Sequence, residues 1–375
     1  MEDRMTFIAL IAKNLLRQRA RTALTVLGIS VGITTVVALG VVVGGMKMTA
    51  QHMIRAYDSD FIVARKGAAD LTLSTVSEEE ADAVGARSDV ERTIRALFDI
   101  TQVGDNPYFA TIGVRPEDIA KSPPNLVGGA TLSAGATDEI MLGDGAAGNL
   151  HASVGSTVNV EKRDYRVVAI YNTGNTWEDN GAIVPLISLQ EATGKRGTVT
   201  AVYVSVKAGT DPEAVAGSIR EQSPLLTTVT NLDEMSRVDQ GIVLMDALNL
   251  AVSALAVGIG AIGVMNTMVM SVYERTREIG ILRAVGWRGS RILRMIVGES
   301  LLLCLVATVV GSGLGVLASR LVMLFPAVRS LLEPTYTIDI FVRGLVVAIA
   351  VALVGAIYPA IRAVRLSPME ALRHE

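Results

Sequence analysis

Residues 274–294 read ERTREIGILRAVGWRGSRILR and lie between two long apolar runs, Ile242–Val272 and Ile296–Leu324. Apolar runs of this length cross a hydrocarbon core of ~30 Å at ~1.5 Å per residue. Six arginines (Arg275, Arg277, Arg283, Arg288, Arg291 and Arg294) crowd into the connection. Positive charge in a short loop between spans marks the cytoplasmic side of a membrane. Within the loop Ile279, Ile281, Leu282 and Val285 alternate with charge at roughly helical spacing. The pattern predicts a short amphipathic helix on the inner membrane face, shaped to be held by a partner.

Working outward, two more apolar runs meet the length criterion, Ala23–Met46 and Ile340–Ile361. The first follows Arg17, Arg19 and Arg21 and ends in GGMKM. It is too long for a signal peptide and reads as an uncleaved anchor. Four spans put both ends on one side. Five Lys+Arg in the first 21 residues, and Arg362, Arg365 and Arg373 in the last 14, place that side in the cytosol. Ahead of the first span, Phe7, Ile8, Ile11, Leu15 and Leu16 share a helical face, which predicts a helix lying on the inner leaflet. The spans carry G-x-x-x-G steps at Gly28/Gly32 and Gly40/Gly44, and further glycines at 258, 260, 263, 311, 313 and 315. Small residues let helices approach closely in lipid, so these predict packing among the spans and with a second subunit.

Composition agrees. Half of the 375 residues are hydrophobic and the mean hydropathy is +0.43, which suits a membrane protein with a sizeable aqueous part. The net charge of −3 hides a split. From Lys47 to Gln240 there are 17 Lys+Arg against 27 Asp+Glu; the remainder has 17 against 10. An acidic middle and basic flanks fit a chain with its middle outside and its ends inside. The basic residues carry no aromatic interleaving, which argues against nucleic acid. The one cysteine, Cys304, lies in an apolar run and reads as a small buried hydrophobe. The large loop therefore holds together through its core, without a disulfide.

That loop reads as α+β. Phe61–Arg65, Thr200–Val206 and Thr227–Asn231 read as strands, and Ser77–Leu97 and Asp211–Gln222 as helices, the first opened by the capping-box pattern Ser77-x-x-Glu80. These flanks make a split, ferredoxin-like sandwich. Between them lie strand patterns at Phe109–Val114, Glu139–Leu142, Thr157–Val160, Tyr165–Ile170 and Ala182–Pro185, a short helix at Ile187–Thr193, and a hairpin turn at Lys162-Arg163-Asp164. The resulting division is a cytosolic amphipathic helix at 1–20, spans at 21–46, 241–272, 296–324 and 340–361, and an extracytoplasmic domain at 47–240 with a β-rich insert at 104–198. A cytosolic helical segment fills 273–295, a short outer loop 325–339 and a cytosolic tail 362–375.

Other motifs carry little chemistry. Gly143, Gly145 and Gly148 match G-x-G-x-x-G, yet no βαβ unit with a ribose-binding acid follows. A second match, Gly258, Gly260 and Gly263, lies inside a span. There is no G-x-x-x-x-G-K-[ST], so this sequence has no P-loop for ATP. The histidines His52, His151 and His374 are dispersed, without H-E-x-x-H or a Cys/His cluster. No G-x-S-x-G supports a nucleophile. The expectation is a non-enzymatic chain with no catalytic residue, metal site or bound cofactor. Asp246, Asn249 and Glu299 stand out only as polar positions near span ends.

Three blocks carry a family resemblance: Arg21-Thr-Ala-Leu-Thr-Val-Leu-Gly-Ile-Ser-Val-Gly32; Gly263-Val-Met-Asn-Thr-Met268 with Ser271-Val-Tyr-Glu-Arg-Thr-Arg-Glu-Ile-Gly280 and Ala284-Val-Gly286; and Tyr358-Pro-Ala-Ile-Arg-Ala-Val-Arg-Leu-Ser-Pro-Met-Glu-Ala-Leu-Arg373. With the order of span, large outer domain and three spans, the chain resembles the FtsX/MacB permeases of ABC transporters, the type VII mechanotransmission class. The stretch GDGAAGNL with Val154-Gly155 resembles a loop and helix of that family's outer domain, which replaces the dinucleotide reading.

The resemblance implies an integral membrane protein with four transmembrane helices and a large α+β extracytoplasmic domain of MacB type, with porter-like and β-rich inserted parts. It implies a dimer with a second permease copy or paralogue, served by a separate ABC ATPase that binds ATP and magnesium. Some family members carry the ATPase on the same chain; its absence from this sequence predicts a partner subunit. Glu274, Arg275, Arg277, Glu278, Gly280 and Arg283 match the block that opens the family's coupling helix, with Gly280 letting a partner approach closely. The function implied is a permease that passes ATP-driven motion to its outer domain, for export or extraction of an outer-side peptide, antibiotic, lipid or lipoprotein. The alternative is a transducer that switches an extracellular cell-wall hydrolase. FtsX proper has a smaller outer domain, and ten-span members are excluded by the count. An outer channel, a substrate-binding protein or a hydrolase is the further partner to look for.

Overall fold

The computed structural model describes residues 19–68, 70–104, 106–238, 240–330 and 333–365. The surface helix expected at Met5–Leu16 and the tail at 366–375 lie outside these. The chain forms two compact units. One comprises residues up to Val41, Ala247–Leu321 and those from Tyr336 onward; the other comprises Val42–Asp246 and Val322–Thr335.

Among the described residues four helices are long and apolar enough to cross a membrane. They are α1 (Arg19–Ile54), α7 (Gln240–Glu274), α9 (Gly289–Val322) and α10 (Ile338–Arg365). Helices suit lipid because each satisfies its own backbone hydrogen bonds. In the first unit they meet where side chains are smallest. A Cβ on Gly311 would fall 2.8 Å from the Ile33 Cβ, one on Gly315 2.8 Å from the Val37 Cβ, and one on Gly355 2.7 Å from the Val264 Cβ. Ser30 and Thr34 of α1 donate to the Ala307 and Gly311 carbonyls of α9, and Ser300 of α9 to the Ala352 carbonyl of α10. Of the four glycines expected to pack, Gly32 faces Ala256 and Gly40 faces Ile340, each with 3.1 Å from a built Cβ. Gly44 is half-buried. Gly28 has open space before it among the described residues. Cys304 is buried in the bundle core.

The second unit is built on one ten-stranded sheet. Its strands in chain order are β1 (Phe61–Arg65), β3 (Val90–Val103), β4 (Asn106–Val114), β5 (Asn125–Gly129), β6 (Glu139–Gly143), β7 (Thr157–Val160), β8 (Arg163–Asn172), β9 (Ala182–Pro185), β11 (Ala201–Val206) and β12 (Leu226–Val229). Short β2 (Val76–Ser77) and β10 (Thr198–Val199) pair separately. The spatial order is β12-β1-β11-β3-β4-β9-β6-β8-β5, with β7 alongside β8. The strands of 104–198 therefore continue the sheet of the flanks: β4 pairs antiparallel with β3 and parallel with β9. Helices α2 (Glu78–Gly85), α3 (Asp144–Leu150), α4 (Thr176–Asp179), α5 (Leu186–Thr193) and α6 (Pro212–Gln222) accompany the sheet.

Strand alternation divides the core in two. Phe61, Val63, Leu97, Val202 and Val204 face one cluster, with Val215 and Ile219 of α6. Ile62, Ala64, Phe98 and Tyr203 face another, with Trp177. The helix expected over Ser77–Leu97 ends at Gly85, and Val90–Val103 is the longest strand. The capping box is present, with the Glu80 amide donating to the Ser77 hydroxyl at 3.1 Å. The helical signal of Glu78–Glu80 is real but local. From Val90 onward the β-branched residues Val90, Thr93 and Ile94 suit a strand, and Gly85 lets Thr93 come within 3.0 Å of where a Cβ would stand. The β7–β8 hairpin turns on Glu161 and Lys162, both at positive φ, one residue earlier than expected.

Candidate functional site

Between the second and third spans, α8 (Thr276–Ala284) is a separate short helix. Arg275 breaks it from α7, with φ −106° and ψ 13°. The break is bridged rather than loose: Thr276 donates to the Val272 and Tyr273 carbonyls, and the Ile279 amide to the Arg275 carbonyl. At the far end Gly286 takes φ +98°, and the Trp287 amide reaches back to the Leu282 carbonyl at 3.0 Å. That is a Schellman closure, which a left-handed glycine makes possible. Arg283 in the last turn faces the negative end of the helix dipole.

One stripe of α8 faces inward. Thr276, Ile279 and Gly280 are buried within the chain. Gly280, which the sequence marked for close approach by a partner, lies on this inward side one turn after Thr276. The outward face carries Arg277, Glu278, Ile281 and Ala284, continued by Val285 and Arg288. Ile281 is 47% exposed and Val285 76%. Bulky aliphatic side chains this open, next to guanidinium groups, form an apolar knob with a charged rim. Arg291 stacks over Trp287 with 5.0 Å to the ring centroid.

The start of α8 is fastened by three consecutive residues. Arg362 of α10 lies over the Tyr273 ring at 4.6 Å. Arg21 of α1 pairs with Glu274 at 2.8 Å. Arg275 donates to Glu299 of α9 at 2.8 Å and reaches Glu278 at 3.2 Å. Burial works against the Arg275 charge, but the Glu299 and Glu278 carboxylates together outweigh it and hold the guanidinium above the usual arginine range. The sequence marked Glu274, Arg275 and Glu278, and noted Glu299 only as a boundary group. A carboxylate inside an apolar run was the available signal. Nothing in the sequence linked Tyr273 to Arg362.

The other polar positions divide. Asp246 pairs with Lys47 at 2.7 Å. Asn249 is buried, and neither of its amide atoms has a hydrogen-bond partner among the described residues. Among the described residues no group of three His, Cys, Asp or Glu is placed to hold a metal ion. The glycines of GDGAAG serve packing. A Cβ on Gly143 would meet the Asp179 carbonyl oxygen at 2.2 Å and one on Gly145 the Asn180 Oδ1 at 2.8 Å, so the space a phosphate would need is filled by the turn after α4.

Comparison with known proteins adds to this geometry. The family model described as MacB-like periplasmic core domain matches residues 22–222, and that described as FtsX-like permease C-terminal matches residues 250–368. An uncharacterized ABC transporter permease of Methanocaldococcus jannaschii is 25% identical over 399 residues, covering 100% of this chain and 98% of its own length. The macrolide export ATP-binding/permease protein MacB of Bdellovibrio bacteriovorus is 24% identical over 402 residues, covering 97% of this chain and 61% of that protein. The MacB protein of Syntrophobacter fumaroxidans is 36% identical over 158 residues, covering 42% of this chain and 22% of that protein. This chain thus spans nearly all of the Methanocaldococcus relative but 61% and 22% of those two MacB proteins. Among solved structures, the periplasmic region of MacB from Actinobacillus actinomycetemcomitans aligns over 47% of this chain and 90% of its own, at TM-score 0.38 and 13% identity.

Proposed function

The chain belongs to the FtsX/MacB-like family of ABC transporter permeases, and from that premise we propose that it passes the motion of a separate ATPase subunit through α8 to the sheet domain. It is a membrane protein with an extracytoplasmic domain. In this reading α8 lies in the cytosol with both chain ends, and the working unit is a permease dimer with two ATPases that hold ATP and magnesium. The carrying observation is the outward face of α8. Ile281 and Val285 are exposed on a helix whose start is tied to the bundle. A helix laid into a hydrophobic groove is a recurrent docking mode, read as anchors at helical spacing. Arg277, Ile281 and Val285 stand at that spacing.

The product of that motion is export or extraction of an outer-side peptide, antibiotic, lipid or lipoprotein. The names of two relatives, macrolide export and pyoverdine export, support an export role. The test is affinity purification of the chain from its own membranes, with stoichiometric partners identified by mass. An ABC ATPase is expected, retained by the native chain and lost with Ile281→Glu or Val285→Glu. No ATPase with the native chain would remove the reading. An ATPase accompanied by a cell-wall hydrolase would turn it toward regulation.

A further inference from the structure

Tyr273, Glu274 and Arg275 are consecutive, and they leave the end of α7 for three different helices, α10, α1 and α9. Successive helical residues point about 100° apart, so one turn can address three neighbours. The three ties differ in weight. Arg21 and Glu274 have side chains 35% and 34% exposed, and ion pairs that open to water contribute little. The Arg275 and Glu299 side chains are 14% and 4% exposed. Glu299 lies three residues past the start of the apolar run at Ile296 and deep in the helix bundle, on the buried face of α9 with Ile296 and Ser300. A carboxylate at that depth is tolerated when a cation stays with it.

That depth gives the pair a mechanical consequence. Arg275 is also the residue whose backbone breaks the helix between α7 and α8. An unrestrained break would be a hinge, and a push on α8 would be absorbed there by rotation about one residue. With the guanidinium held by Glu299, rotation at the break draws the cation out of its site. The hinge point and the anchor are the same residue, and the anchor reaches the helix on the far side of the loop.

Building on the ATPase-driven reading above, we propose that the Arg275–Glu299 pair is a latch that makes α8 move as one body with α7 and α9, with Glu299 a positioning residue for force transmission. Glu299 acts through Arg275, the residue at the break. It determines whether displacement of α8 reaches the spans.

The test uses the full chain in complex with the ATPase that co-purifies, reconstituted in lipid nanodiscs. A spin label is carried by a bio-orthogonal residue at the exposed position Leu225 of each copy, in a Cys304→Ala background. The native pair is expected to change the separation of the two labels on addition of MgATP and vanadate. Glu299→Leu lets Arg275 turn toward the membrane surface, and Glu299→Gln keeps shape without charge. Both are expected to assemble and to turn over ATP, yet lose most of that separation change. A purely structural role would instead be read as loss of assembly. The double variant R275C/E299C adds a gain-of-function arm: the response is absent until a short bifunctional thiol reagent bridges the two positions, and returns once it does. Glu299 variants that respond like the native complex, or a bridged pair that stays silent, overturn the latch while leaving the transmission reading intact. A native complex that binds its ATPase and shows no nucleotide response sinks that reading and the latch together.

Discussion

Glu178 offers the sharpest quantitative handle on the sheet domain. It sits in α4 and is only 8% exposed. The Thr173 and Asn175 side chains hydrogen-bond its carboxylate, the latter at a long 3.4 Å, and only partly offset its burial. The neighbouring Tyr171 hydroxyl donates to its backbone carbonyl, not to its carboxylate. Tyr57 and Tyr203 stack edge to face nearby, and burial pushes their hydroxyls upward, so they supply no compensating charge. Burial first, and then the adjacent Asp179 carboxylate, raise the Glu178 carboxyl from 4.5 to about 7. The folded domain therefore prefers the protonated acid. Stability from this site is fully present below the unfolded value of 4.5 and is lost as pH rises through about 7. The shift corresponds to about 3 kcal/mol at 1.36 kcal/mol per pH unit.

Glu178→Gln copies the neutral acid at every pH. In a domain of this size 1 kcal/mol moves the unfolding midpoint by about 2–4 °C, so the substitution should raise it by roughly 6–12 °C at pH 8.5. Near pH 4.5 the gain should shrink to a small fraction of that, because both folded forms are then neutral. Trp177 adjoins the site and is one of only two tryptophans. Its fluorescence in a Trp287→Phe background reports the melting of this domain in the detergent-solubilised chain. Other titrations are shared by the two proteins and cancel in the difference. An equal gain at both pH values would mean that Gln packs better for unrelated reasons. No gain at pH 8.5 would mean that the carboxylate is well solvated, and the burial argument would fail.

Three other substitutions test separate parts of the account. Ser77→Ala removes the cap on α2 and should destabilise the sheet domain by about 1 kcal/mol, read as a midpoint lowered by a few degrees. Gly355→Val would drive a side chain into Val264 and the Ala261 carbonyl, and overpacking of this kind costs about 1–3 kcal/mol or more; folded yield by size exclusion in detergent should fall, while Gly258→Ala, facing open space, should leave it unchanged. Glu278→Lys reverses a charge on the outward face of α8 and removes the 3.2 Å contact with Arg275; ATP turnover should persist without the outer-side response, and unchanged coupling would take that face out of the mechanism.

How far these features could be read from the chain depends on the range of the forces that make them. The four apolar runs and the arginines between them are local properties, and Thr276–Ala284 follows from a helical period over nine residues. The capping box at Ser77 is local too, and it overreached. It starts a helix, but it does not decide where that helix stops, and the strand character of Val90–Val103 comes from pairing with β4 and β11 on either side. The glycines of α1 show a second limit. In water a helix announces its buried face by apolar residues; in lipid the outward positions Leu24, Leu27 and Val31 are as apolar as the inward Ile29, Ile33 and Val36. Gly28 and Gly32 are thus alike in sequence, and only the position of Ala256 separates them. Charge carries better through the same medium, because an ion inside a span must find a counter-ion. Glu299, marked in the sequence only as a polar group near a span end, finds that counter-ion in Arg275, 24 residues upstream in the arginine-rich block.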